Sequence, residues 1–591
     1  MEILKFGIKK HPYFSVFCLW VLLFCAFGRF EIEGVTVFNY VSVMIFASIY
    51  LIAENRSIKK RIKDEKIREG IFIKTALIVL LAAVYILLTL LVFSVTPSNV
   101  VIQSRNDFIP FAFLLAPLIG YALYLCIKRK WSTEKIILMI FLLGVVTHLF
   151  YNSFTDFNVR QSDIGYFKES SYGHLGYVER IYMTGLPPQT DPSLFIKYNI
   201  NQFYHPPLYH YLLAILLRIQ TLCGVDIEIA LYNVQYIGLL CYMILLATVY
   251  QIFKEFNIKK TAICCSFAII TLAPTFFYMS GLVNNDFLCL MFEVLALLSA
   301  IKWYKNQKAR NIVKTALFFG LGMFTKLSAW IAAVPIAVIF ITALLKKLKA
   351  SDKHGFFSLF GQMWAFLGIA APLSFYWSFR NYLRFGVPFG YIPDIQNDFL
   401  LIKYDTVKRI FDFGLWQFKD PYLCFMNESD AYSAYNEYNP LIGLMKSAAT
   451  NYIRGVNNDI ITGEIILWVN LVMMLLAFIC MIVVLFKKDS MQVLWKVFFV
   501  LFYLVIIVSY YIFCMKYPYP CTEDIRYASP TIIIGALFIG YVINNLSAKK
   551  TKLFEITRKT IIGAVCLFCI VSFAIFVYMG YYTTFVYHFE F

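Results

Sequence analysis

Charge is what this chain is short of. Only 15% of its 591 residues are Asp, Glu, Lys or Arg, against about a quarter in ordinary soluble domains. With 60% hydrophobic residues and a mean hydropathy of +0.69, that deficit excludes a soluble globular protein and indicates a polytopic membrane protein. No Walker loop, dinucleotide-binding glycine fingerprint, HExxH or GxSxG occurs. Their absence sets aside an ATP-driven pump, a dehydrogenase, a zinc protease and a serine hydrolase. CxxC and Cys/His metal spacings are missing too, and most of the 14 cysteines lie in apolar runs, where cysteine behaves as a small hydrophobe. The net charge of +18 comes with no compact basic domain, so it does not indicate nucleic acid.

What is present is a succession of apolar runs of membrane-spanning length. They fall near 12–29, 35–53, 70–95, 108–127, 136–152, 229–253, 261–280, 286–304, 312–325, 328–345, 356–378, 463–486, 492–514, 528–546 and 558–583. The first follows Met1–His11 like a signal anchor, without a small-residue cleavage site, and is expected to stay as a helix. Basic clusters at Arg56 to Arg68, Lys128 to Lys130, Lys254 to Lys260, Lys302 to Lys314, Lys346 to Lys353, Lys487-Lys488 and Lys549 to Lys559 mark short cytoplasmic loops. They alternate correctly only if the run at 206–222 stays out of the membrane as an interfacial helix, entered through His205-Pro206-Pro207. Proline suits a first helical turn, where its missing N–H is no loss. An ordinary span at 206–222, with another run miscounted, is the alternative. The N-terminus is then cytoplasmic, and 153–204, 281–285, 325–326, 380–460 and 515–527 face outward.

The outward loop 153–204 carries Asp156, Arg160, Asp163, Lys168, Glu169, His174, Glu179 and Arg180. A carboxylate at the membrane boundary can serve as general base, taking the proton of an attacking hydroxyl. Asp163 and Asp156 both qualify, and solvation or helix capping is the plainer role for either. Asp286, in Ser280-Gly281-Leu282-Val283-Asn284-Asn285-Asp286, is either an N-cap or a polar contact to substrate. Lys326, Arg380 and Arg526 stand at span ends on the same side. Each is either a snorkelling side chain or a cation for a lipid phosphate, which Arg can grip bidentately. The stretch 380–460, rich in Tyr, Asn and Asp, reads as interfacial helices and a lid over the cavity.

RQSD ending at Asp163, GHLGYVERIY, YHPPLYHYLLA, SGLVNND, GLGMFTKLS, RNYLRFGVPFG and DIRYASP follow one another across residues 136–546. In that order they resemble the GT-C superfamily of integral-membrane glycosyltransferases, in the bacterial branch related to protein O-mannosyltransferases and the lipid A aminoarabinose transferase. The resemblance implies an all-α polytopic bundle of about fifteen spans with outer interfacial helices. It divides the chain into extra N-terminal helices (1–135), the GT-C-like core (136–546) and a C-terminal helix with a short outer tail (547–591). It further implies a polyprenyl-phosphate sugar donor, an acceptor in the cell envelope (glycan, lipid or protein), and work at the outer leaflet of the plasma membrane of a bacterium.

By motif, Asp163 is the inverting base with Asp156 in reserve. His174, His205 and Asp286 line the acceptor cavity, and Lys326, Arg380 and Arg526 hold the donor phosphate. Ser162 stands where relatives often have His or Glu, which is what keeps Asp156 in reserve. The branch works without a metal, and the residues leave a divalent ion open. A flippase or transporter, or a polymerase or ligase of lipid-linked glycans, is the alternative function. The sugar, the acceptor and the oligomeric state are not legible.

Overall fold

The computed structural model describes residues 29–32, 35–38, most of 115–155, parts of 161–167, 173–188, 202–393, 401–414, 438–450, 460–487, 491–548 and 551–585, with single positions at 418, 421 and 422. Most of the N-terminal spans read above, together with Asp156, lie outside those residues. The described part is helical apart from one ribbon, in which β1 (Arg29–Ile32) pairs antiparallel with β2 (Val35–Phe38). This corrects the reading of a span that begins at residue 35: Val35-Thr36-Val37-Phe38 is β-branched and aromatic, a composition that favours strand pairing.

The helices run α1 (Thr133–Phe154), α2 (Gly173–Thr184), α3 (Leu208–Leu222), α4 (Ile227–Val234), α5 (Ile237–Glu255), α6 (Lys260–Leu272), α7 (Pro274–Gly281), α8 (Asp286–Asn306), α9 (Ala309–Met323), α10 (Ala333–Lys349), α11 (Lys353–Phe385), α12 (Thr406–Phe411), α13 (Pro440–Thr450), α14 (Ile460–Phe486), α15 (Val493–Lys516), α16 (Pro530–Ser547) and α17 (Lys552–Phe585). Among the described residues nine helical stretches are long and apolar enough to cross a membrane, or ten if α6 and α7 form one broken span. The chain is an integral membrane protein. The central spans are α4–α5, α8 and α16, while α11 lies at the rim with Phe357, Trp364, Phe375 and Phe379 exposed, as expected of a lipid-facing helix.

The run read as one span at 261–280 is broken at Pro274, with a bend of 42° between α6 and α7. Proline removes a helical N–H and forces the preceding residue out of the helical region, and Ala273 is extended. The bend carries α7 against α13, where the Thr275 and Tyr278 hydroxyls donate to the carbonyls of Ala448 (3.1 Å) and Ala449 (2.9 Å). Helix α13 is therefore enclosed, with nine of its 11 residues buried, while much of the rest of 380–460 lies outside the described residues. Helix α3 has 15 residues, about 22 Å of rise against about 30 Å of hydrocarbon. That length fits the interfacial placement read at 206–222. Helix α9 also has 15 residues, yet it must return the chain from the far end of α8 to Lys326, which contacts the first residue of α8.

Backbone proximity at Gly238 sets one of these positions. A Cβ there would meet the Ser280 carbonyl oxygen at 1.7 Å, so α5 touches the end of α7 backbone to backbone. Replacing Gly238 with Ala must push α7 and the Gly281–Asn285 turn away, at about 1–3 kcal/mol. The expected outcome is a lowered unfolding midpoint in detergent, while Gly361→Ala, at a position with nothing within 4 Å, leaves the midpoint in place.

Candidate active site at one end of the bundle

Arg526 is the hub of the site. Its side chain is 4% exposed, with Nη2 3.4 Å from Asp163 Oδ2, Nη1 3.9 Å from Asp286 Oδ2 and Nε 3.4 Å from Asp524 Oδ2. Lys326 Nζ donates to Asp286 Oδ1 and lies 5.2 Å from the centre of the Tyr527 ring; the Arg526 guanidinium lies 5.0 Å from that same ring. Two cations and three carboxylates from four separate segments thus converge. Buried charges are costly unless paired, and each of these charges has an opposite charge within 4 Å.

The local folding of each segment explains where its charge points. Asp163 adopts a left-handed backbone, φ 57°, a conformation in which Asp is enriched but which still costs energy. The turn allows the Asp163 and Ile164 carbonyls to accept from the His174 and Leu175 amides, at 2.9 and 2.8 Å. Those are first-turn donors of α2, which have no partner inside the helix. The carbonyl, not the carboxylate, therefore caps α2, and the Asp163 side chain, 42% exposed, reaches Arg526. Gln161 fastens the loop, its Nε2 donating to Gly281 O (3.1 Å) and its Oε1 accepting from Val283 N (2.9 Å). Gln235, at the break between α4 and α5, donates to Thr155 O (2.7 Å) and Gly281 O (2.6 Å).

Asp286 is the first residue of α8 and Asn285 takes the N-cap position. Asn284 Oδ1 accepts from the Asp286 amide at 2.9 Å, so the carboxylate is directed at Lys326 and Arg526 instead of at its own helix. Nor does Lys326 snorkel: it is 9% exposed, in the break between α9 and the 3-10 turn Leu327–Ala332. Arg380 is placed differently. Its Nη1 donates to Asn381 Oδ1 at 2.7 Å, its Nη2 donates to Pro188 O, and its guanidinium stacks over Trp377 at 4.5 Å.

Beside the charged cluster lies a group of histidines. His174 Nδ1 and His210 Nε2 are 2.9 Å apart, His205 stacks on His174 at 6.0 Å, and Tyr177 stacks on His210 at 4.0 Å. The Tyr177 hydroxyl donates to His205 O at 3.3 Å, and Trp377 Nε1 donates to Tyr204 O at 3.0 Å, which fixes the Tyr204-His205-Pro206-Pro207 turn. Burial, reinforced by Lys326 and Arg526, holds His174 well below the usual imidazole range. Burial also lowers His205, with Lys326 the next cause, and His210, with His174 the next cause. All three rings are neutral at pH 7.

The structure thus brings together Asp163, Asp286, Lys326 and Arg526, sets His174 and His205 alongside, and gives Arg380 separate partners. Sequence reading missed Asp524, Tyr527, Gln161, Gln235, Tyr177 and His210. Asp524 and Tyr527 flank Arg526 within DIRYASP and were open to notice. The two glutamines carry no charge that stands out in a sequence.

The histidines set a pH limit on stability. Unfolding returns each imidazole to about 6.5, so the unfolded chain binds protons that the native state does not. The stability contributed by the neutral rings is fully present well above pH 6.5 and is lost progressively as the pH falls below it. The unfolding midpoint in detergent is expected to drop between pH 7.5 and 5.5, and His210→Gln reduces that drop.

The chain has partial likenesses among known proteins. A similar solved structure is ArnT from Cupriavidus metallidurans bound to undecaprenyl phosphate, at 11% identity and a TM-score of 0.41, over 76% of this chain and 78% of that one. No curated protein matches the sequence. Residues 204–374, from the YHPPLYHYLLA turn through Asp286 and Lys326 into α11, match the family model of dolichyl-phosphate-mannose-protein mannosyltransferases, and over that segment the resemblance to GT-C membrane glycosyltransferases is borne out.

Proposed function

We propose that this protein transfers a sugar from a polyprenyl-phosphate donor to an acceptor on the extracytoplasmic side of the plasma membrane, with inversion at the anomeric carbon. The observation that carries the reading is the convergence of Lys326 and Arg526 beside the partly exposed carboxylate of Asp163, at one end of a membrane bundle. The basic loops, including Lys305 paired with Glu255 at 2.7 Å, lie at the end of the spans away from that cluster. This arrangement supports a site on the non-cytoplasmic face.

In this mechanism Asp163 takes the proton of the acceptor hydroxyl as its oxygen attacks the anomeric carbon. The bond from that carbon to the phosphate oxygen breaks on the opposite face, and its electron pair stays on the phosphate. Lys326 and Arg526 stabilise the charge that develops on the leaving phosphate. His174, His205 and Asp286 shape the acceptor side. Arg380, bound to Pro188 and Asn381, is left out of the phosphate site. Two cations meet the leaving group's need for positive charge, so the reading requires no metal. A cell-envelope glycan, lipid or protein fits as acceptor.

The test is transfer from a set of polyprenyl-phosphate sugars by purified protein in detergent. Asp163→Asn is expected to lower the rate about 10²–10⁴-fold, and Arg526→Met about 10²–10³-fold, with membrane expression retained. Undiminished transfer by the Asp163 variant returns the base role to Asp156. If the wild type consumes no such donor, the reading is wrong.

A further inference from the structure

One buried ion pair has no part in the reading above. Arg409 on α12 and Glu523 are 2% and 0% exposed, with Nη2 and Oε1 2.9 Å apart. The other guanidinium donors go to Tyr438 O (Nε, 3.1 Å) and Cys514 O (Nη1, 3.0 Å). One side chain therefore ties together the segment entering α13, the end of α15, and the turn that leads into α16. The strap 401–414 is bound to the same region by Ile402 N donating to Pro518 O (2.8 Å). Asp412 adds to this, its carboxylate accepting from the Tyr438 hydroxyl (2.6 Å) and its carbonyl from Asn439 Nδ2 (3.0 Å).

Glu523 stands one residue before Asp524 and three before Arg526. That turn consists of two 3-10 pieces of three residues each, Pro520–Thr522 and Ile525–Tyr527, and such pieces have poor intrinsic hydrogen-bond geometry. Its register rests on tertiary anchors: Ile525 N donates to Ser447 Oγ at 2.8 Å, and the Glu523 Cβ presses on α13 where a side chain at Gly443 would meet it at 2.6 Å. The third anchor is Arg409. A buried pair of this kind adds little net stability over an apolar pair of the same volume, so stability alone is a weak reason for placing it there.

We propose that Arg409 is a positioning residue for Arg526. By gripping Glu523 it sets the turn that aims the Arg526 guanidinium at Asp163 and Asp286, so the strap 401–414 governs the donor-phosphate cation from behind. The functional part of this inference rests on the reading of Arg526 given above; the geometric part does not.

The test is a double-mutant cycle together with a structure. Arg409→Lys keeps the buried charge and loses the planar fork, so the protein folds. Its kcat/KM for transfer is expected to fall about tenfold, while Arg409→Lys/Arg526→Lys is within about twofold of Arg526→Lys alone, because a residue acting only through another adds nothing once that other is altered. A purely structural role predicts that the two losses multiply, and that outcome overturns the proposal. A cryo-EM structure of Arg409→Lys in nanodiscs is expected to show Arg526 withdrawn from its 3.4 Å contact with Asp163. Arg409→Met/Glu523→Gln, which removes both charges, is expected to show the same withdrawal. An unmoved Arg526 in both refutes the proposal. If the wild type transfers no sugar, the activity reading fails while the position of Arg526 still decides this inference.

Discussion

The site depends on one constraint: charges withdrawn from water must find partners. Asp163, still 42% exposed, joins the cluster from 363 residues away in the chain; Lys326, Arg526, Asp286 and Asp524 are buried, and none of these four has a satisfactory burial alone. A bundle that leaves any one of them unpaired carries a penalty of several kcal/mol, a large share of the stability of a folded domain. The cluster therefore selects the register in which the ends of α1, α7 and α9 and the start of α16 come to one level.

The backbone devices serve the same end. Pro274 bends the α6–α7 span so that Gly281 reaches Gln161 and Gln235. The short α9 returns the chain to a position where Lys326 meets Asp286. Asp163 takes up a left-handed turn because its carbonyl serves α2. That turn frees the carboxylate from capping and directs it to Arg526. In a site read as catalytic, such strain is expected where a side chain must be held in one direction.

Legibility in the sequence followed charge contrast. In a chain with 15% charged residues, Asp286, Lys326 and Arg526 stand out against apolar neighbours, and the alternation of basic loops assigns them to one end. The apolar runs from 136 to 583 correspond to helices for the same reason. Other features had no signal of that kind. The break at Pro274 was read through because its neighbours are apolar on both sides. The enclosure of α13 has no such signal, because the polar composition of 380–460 as a whole masks the apolar run Pro440-Leu441-Ile442-Gly443-Leu444-Met445 within it. Gln161 and Gln235 are invisible in a reading by charge, although each joins two segments of the site. Asp163 and Arg526 were chosen separately; that they touch is a tertiary fact that no local pattern contains.

That contact bears on how the proposed reaction begins. With Asp163 3.4 Å from Arg526, the general base and the cation for the leaving phosphate neutralise each other before substrate arrives. An inverting displacement needs them on opposite faces of the sugar, so donor binding must part them. The phosphate is the natural agent, because a guanidinium pairs with phosphate as well as with carboxylate, and often bidentately. Asp163, the more exposed partner of the pair, then turns to the acceptor hydroxyl. Lys326 stays on Asp286 and keeps one fixed positive charge in place during the exchange. In this reading the seated donor is what releases the carboxylate of Asp163 toward the acceptor.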